Sequence, residues 1–163
     1  MAKREHTISG LVKNKAGILF EIAKTFKDEG INIKSIAAGE TEDPALSRVI
    51  IVVDAEDRTI EEAEEKLKKM PDVKKVDDLT AGEFVAKELV MIKVGTTKEE
   101  ALKIMQIAEI FRAEVIGVGE KTMTLEMTGE EEKVKGFIKM LKPFGIRSMA
   151  RTGKIALKVG DEI

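Results

Sequence analysis

Two short glycine-containing stretches carry residue types suited to holding a small zwitterion: Asn14-Lys15-Ala16-Gly17 and Gly30-Ile31-Asn32-Ile33. The first closes an apolar run and opens a segment of helical periodicity. Its backbone N–H groups therefore stand at a helix start, where they have no intrahelical acceptor and the dipole is positive. Glycine at 17 leaves a carboxylate free to approach the backbone. Asn14 and Asn32 can both donate and accept, which suits the ammonium and carboxylate of a free amino acid. Either stretch alone is also consistent with an ordinary turn, with Asn14 as the helix cap. The functional reading comes from having both.

The elements that must position these residues follow from periodicity. Residues 6–13 form a strand with Ile8 and Val12 on one face, and Gly10 within it implies that a backbone or ligand comes close. Ile18, Ile22 and Phe26 recur at helical spacing from Gly17 to Glu29, and Gly30 stops that helix. Residues 31–38 alternate as a second strand, and Val49-Ile50-Ile51-Val52-Val53 is a continuous β-branched run that belongs in a sheet centre. Asp57 caps a helix over 58–70 that Pro71 ends, and Val73 to Leu79 is a further strand. The same order then returns. Leu89 to Val94 is a strand, and Thr97 with Glu100 forms a capping box for a helix reaching about Arg112. Residues 115–118 and 122–127 form a hairpin, Val134, Phe137, Ile138 and Leu141 mark a helix, and two extended segments follow at 146–150 and 155–159. The expectation is α+β: two βαββαβ, ferredoxin-like sandwiches, residues 4–79 and 87–163, joined by a linker at 80–86. Each would cover its sheet with helices on one face only, leaving the other face or an edge open, so side-by-side dimerisation is a natural completion.

Composition excludes several classes. Lysine plus arginine number 28 against 30 acids, so the net charge of −2 offers no footprint for nucleic acid or an anionic membrane. There is no cysteine, which removes disulfides, thiolate zinc and iron–sulfur chemistry and agrees with a reducing, cytoplasmic setting. No apolar run is long enough to span a membrane, and residues 1–6 have no signal-peptide core. The single histidine, His6, reads as a surface or edge residue, not as half of a catalytic dyad. Gly119-Glu120-Lys121-Thr122 echoes a phosphate loop but lacks its upstream glycine. The strands lack the stacking aromatics of an RNA-binding sheet. The glutamates between 56 and 65 lie on a solvated helix face with no partner base.

The stretches His6-Thr7-Ile8-Ser9, Asn14 to Leu19, Gly30 to Ile36, Thr41-Glu42-Asp43-Pro44-Ala45-Leu46-Ser47-Arg48, Glu88 to Val94, Glu109-Ile110-Phe111-Arg112-Ala113 and Ala150-Arg151-Thr152-Gly153 occur in an order and spacing that resembles the small, regulatory subunits of acetolactate synthase (acetohydroxyacid synthase). The resemblance implies an N-terminal ACT domain followed by a ferredoxin-like C-terminal domain, a homodimer, and no catalysis or cofactor on this chain. It implies a separate thiamine-diphosphate-dependent catalytic subunit as partner, which this chain activates. It also implies feedback inhibition by valine, or leucine or isoleucine, bound between the ACT domains of two protomers. The effector would be held by Asn14, Lys15, Ala16, Gly17, Ile18 and Leu19 from one side, and by Asn32 and Ile33 from the other. Ala16 stands where the family often has proline, and Lys87 where arginine is expected. A stand-alone amino-acid-sensing ACT module controlling another enzyme or a transcription factor would share the pocket and lack the synthase as partner.

Overall fold

The computed structural model describes residues 2–161, which divide into two compact units. One unit runs to Ala86 and takes in the segment from Lys154 onward; the other is Lys87–Gly153. The expected second domain extended to 163, so the chain differs here: it leaves the first unit, builds the second and returns to the first.

In the first unit the order is β1 (Arg4–Lys13), α1 (Ile18–Asp28), β2 (Ile33–Glu40), β3 (Leu46–Ala55), α2 (Asp57–Lys68) and β4 (Val73–Asp78). The antiparallel sheet has the order β2-β3-β1-β4, so β2 is an edge and β1 is interior. Ile8 and Val12 of β1 and Val49, Ile51 and Val53 of β3 pack against Ile18, Ile22, Phe26, Ile60, Ala63 and Leu67 of the two helices. The opposite face is covered as well. After a 3-10 turn at Leu79–Ala81, Phe84 and Ala86 at the start of β5 (Phe84–Gly95) cluster with Ile50, Leu79 and Ala156 of β9 (Ile155–Lys158). β9 pairs with β5, Lys154 is ion-paired with Glu5, and Lys158 Nζ lies 3.5 Å from Asp77. A sheet buried on both faces needs a centre that is apolar at every position, which accounts for the unbroken run at 49–53. The expectation of an open second face is corrected for this unit.

The second unit repeats the plan with β5, α3 (Lys98–Phe111), β6 (Glu114–Val118), β7 (Thr122–Gly129), α4 (Glu131–Leu141) and β8 (Ile146–Arg151), in the sheet order β6-β7-β5-β8. The Thr97–Glu100 capping box is present. Ile104, Ile107 and Ala108 of α3 and Val134, Phe137 and Leu141 of α4 pack on Val90, Ile92, Val94, Met123, Leu125 and Met127 of the sheet. Both units are therefore ferredoxin-like α+β sandwiches.

Candidate functional site

The loop between β1 and α1 turns at Gly17, whose φ of 87° is a left-handed conformation that costs a residue with a Cβ. Gly17 is the N-cap of α1, and no side chain caps that helix end. The expectation that Asn14 serves as the cap is corrected. Its amide nitrogen donates instead to Glu40 Oε1 and to the Pro44 carbonyl, both at 3.0 Å. Those two bonds use both amide hydrogens, so the Asn14 carbonyl oxygen is held in place as an acceptor. Glu40, at the end of edge strand β2, supports the loop without any local sequence signal that would have singled it out. Asp57 likewise is the first residue of α2, and Glu56 is its N-cap.

Lys15 is ion-paired with Asp72. That hydrogen bond holds the lysine above its ordinary pKa and the aspartate below its own, and it ties the loop to the chain just before β4. Ala16 is exposed, Leu19 is 42% exposed, and the Ile18 side chain is buried in the core, so only the backbone of Ile18 faces outward. The Ile18 N–H donates to the Lys15 carbonyl at 3.5 Å, so the uncapped first turn of α1 presents the backbone donors that follow it beside a restrained acceptor.

Asn32 and Ile33 lie at the other end of the helix. Asn32 is exposed and Ile33 packs partly on the core. With Ala23, Lys27, Gly30 and Ile31 they line an open groove of about 440 Å³ along the β2 side of α1. The 11 residues of α1 separate the two clusters by about 16 Å. One chain therefore does not bring Asn14–Leu19 and Asn32–Ile33 into a single site; it carries the two stretches at opposite ends of one helix.

His6 is a correction. β1 is an interior strand and His6 shares the helix-facing side with Ile8, so it is 1% exposed. Its Nδ1 lies 2.6 Å from Asp78 Oδ2 and its Nε2 3.2 Å from Asp57 Oδ1. Asp57 also accepts from Arg4 at 2.6 Å, and this bond, with His6 adding to it, depresses the carboxyl's pKa. The period-two placement of 6, 8 and 12 held the signal for burial. Gly10 is also corrected: it faces the helix layer beside Ile8 and Val12, and no backbone comes closer to a Cβ placed there than the Val49 carbonyl at 4.0 Å. Among the described residues no group of His, Cys, Asp or Glu is arranged to hold a metal ion, and no helix is long and apolar enough to cross a membrane.

Two ferredoxin-like units, the first with an uncapped helix end and an open groove along a sheet edge, define an ACT-domain protein. Comparison with known proteins agrees. A family profile described as the AHAS small subunit-like ACT domain matches residues 8–75, and one for the small subunit of acetolactate synthase matches residues 87–160. The acetolactate synthase small subunit of Aquifex aeolicus is 42% identical over 95% of this chain and 81% of its own length. The probable acetolactate synthase small subunit of Archaeoglobus fulgidus is 38% identical over 97% and 99%. The crystal structure of the Thermotoga maritima acetolactate synthase small subunit superposes with a TM-score of 0.85 at 40% identity, covering 94% of this chain and 96% of that one. The chain belongs to the acetolactate synthase small subunit family.

Proposed function

We propose that this chain is the non-catalytic regulatory subunit of acetolactate synthase, that it dimerises through α1 and β2, and that valine binding at that interface inhibits the holoenzyme. One observation carries the proposal. Ala23 and Lys27 of α1 line the groove with Ile33 of the β2 edge, Leu19 lies one turn before Ala23, and Ala23 is small enough to let a second helix approach. If the α1 helices of two copies pack antiparallel with the dyad at Ala23, residues equally far before and after Ala23 face each other. The loop carrying Asn14 and Gly17 then comes to the same end of the helix pair as the partner's Gly30 and the partner's Asn32. The two half-sites, separated within one chain, become two complete sites.

In such a site the valine carboxylate accepts from the first-turn N–H groups beside Gly17, favoured by the helix dipole. The ammonium donates to the fixed carbonyl oxygen of Asn14 and to the partner's Asn32. The isopropyl group lies against Leu19 and the partner's Ile33. Lys15 and Ala16 shape the loop. Valine can shift the complex only by binding one arrangement of the dimer more tightly than another, and a difference of about 1–3 kcal/mol gives a useful response. The thiamine-diphosphate chemistry then resides wholly in the catalytic subunit, and the setting is the cytoplasm.

The experiment mixes the purified chain with the catalytic subunit of the same organism and follows acetolactate formation with and without valine. Activation that valine reverses, and that Asn32→Ala renders valine-insensitive, is the expected result. An unchanged rate with no co-migration would point instead to a stand-alone sensor. Unchanged valine binding in Asn32→Ala by calorimetry would refute the pocket.

A further inference from the structure

The second unit has its own unpartnered edge, and its residues are matched to themselves. In the order β6-β7-β5-β8, α3 and β6 hold the places that α1 and β2 hold in the first unit. The core side of α3 is Ile104, Ile107 and Ala108, and Phe111 leans towards α4 to meet Phe137 at a ring separation of 5.4 Å. On the flank away from α4, beside edge strand β6, runs a stripe at i, i+4, i+7 and i+11: Lys98, Leu102, Met105 and Glu109. That is the spacing of a helix–helix seam. Leu102 is 69% exposed and Met105 50%, and on β6 Val118 is 74% exposed.

The ends of the stripe say what covers it. Neither Lys98 nor Glu109 has an ion-pair partner among the described residues. Each also stands at the unfavourable end of its own helix, with the cation on the first residue and the anion in the last turn. A second α3 laid antiparallel, with the dyad between Leu102 and Met105, repairs both. Each leucine then packs on the partner's Met105, and each Lys98 meets the partner's Glu109 beside the negative end of the partner's helix. A parallel neighbour would oppose like charges. We propose that the α3–β6 edge of the second unit is an isologous interface with a second copy of this chain, distinct from the α1–β2 interface and independent of effector binding. Each chain would then carry two self-complementary surfaces, one in each unit.

The test is zero-length carbodiimide cross-linking of a mixture of isotopically labelled and unlabelled full-length chain, read by mass spectrometry. Lys98 and Glu109 of one chain are about 16 Å apart along α3, too far for a zero-length link, so a Lys98–Glu109 peptide must join two molecules. The expected result is a mixed-label Lys98–Glu109 peptide. Its yield should fall at least tenfold in Leu102→Glu and in Lys98→Glu, and return in Lys98→Glu/Glu109→Lys with the two chemistries exchanged. Circular dichroism should be unchanged throughout, because all of these side chains are exposed. Absence of the mixed-label peptide from the wild type at concentrations where light scattering reports a dimer would overturn the proposal. So would its persistence in Leu102→Glu, or loss of catalytic-subunit binding in Leu102→Glu with no such peptide in the wild type. Asn32→Ala, which tests the effector pocket, should leave the cross-link unchanged.

Discussion

The same substitution at two glycines should move stability in opposite directions. Both sites have room: a Cβ at Gly17 meets nothing within 4 Å, and one at Gly10 meets only Val12 Cγ1 at 3.8 Å and the Val49 carbonyl at 4.0 Å. The difference lies in the backbone. Gly10 sits in a regular strand beneath a residual space of about 10 Å³ lined by Ile8, Val12, Ile22 and Leu67, among others. Gly10→Ala buries one methyl there, worth about 0.8 kcal/mol. It also reduces the freedom of the unfolded chain by about 0.4–1 kcal/mol. The sum is a gain of roughly 1–2 kcal/mol. Gly17→Ala gains the same unfolded-chain term but must hold alanine at a φ of 87°, which costs roughly 1–2 kcal/mol, for a net loss near 0.5–1 kcal/mol. With a urea slope of about 1–3 kcal/mol per molar, the midpoint should rise by roughly 0.5–1 M for Gly10→Ala and fall by about 0.3–0.5 M for Gly17→Ala. Urea unfolding followed by circular dichroism measures both. A lower midpoint for Gly10→Ala would mean that the space above β1 does not exist in solution. A higher one for Gly17→Ala would mean that the turn is not left-handed, and the uncapped helix end built on it would go as well. Function separates the pair again: Gly17→Ala should weaken valine binding, while Gly10→Ala, inside the core, should not.

His6→Ala should cost about 3 kcal/mol, because it leaves the part-buried Asp78 carboxylate without its imidazole and opens a hole beneath α2. A loss below about 1 kcal/mol by urea unfolding would remove His6 from any role in tying β4 to β1. Arg4→Ala should flatten the acid limb of the stability curve. Arg4 depresses the Asp57 carboxyl below its ordinary value of 3.8, so the stability it contributes is fully present above that value and is lost as pH falls through the lower, folded one. Unfolding midpoints from pH 6 to pH 2 should therefore differ between wild type and variant near neutrality and converge in acid; a constant gap at all pH values would refute the assignment.

Local signals in the sequence were enough for α1 to α4 and for the repeated element order. Thr97 and Glu100 specify their capping box within four residues, and the run from Val49 to Val53 marks a strand at a sheet centre. What could not be read depends on contacts far apart in the chain. Asn14 looks like a cap because asparagine before a helix usually is one, yet its amide is taken by Glu40 and Pro44, which the pairing of β3 with both β1 and β2 brings near. His6 looks peripheral from its place near the chain start, and becomes interior because β3 and β4 pair on either side of β1. The candidate site was legible as two stretches but not as one place, since the length of α1 keeps them apart within a chain.

The return of the segment from Lys154 to the first unit sets an order of completion during synthesis. Ile50, Leu79 and Phe84 have left the ribosome long before Ala156, the residue that closes over them, has been made. At about 5–20 residues per second the intervening stretch, roughly 70 residues, takes about 3–15 s to appear. The helix-covered half of the first unit can form in that interval, but the cluster around Ile50 on its far face lacks Ala156 until the second unit has been translated. The first unit to be made is thus the last to be finished, and a nascent chain stalled anywhere between Ala86 and Lys154 displays that face to whatever chaperone or neighbouring chain is at hand.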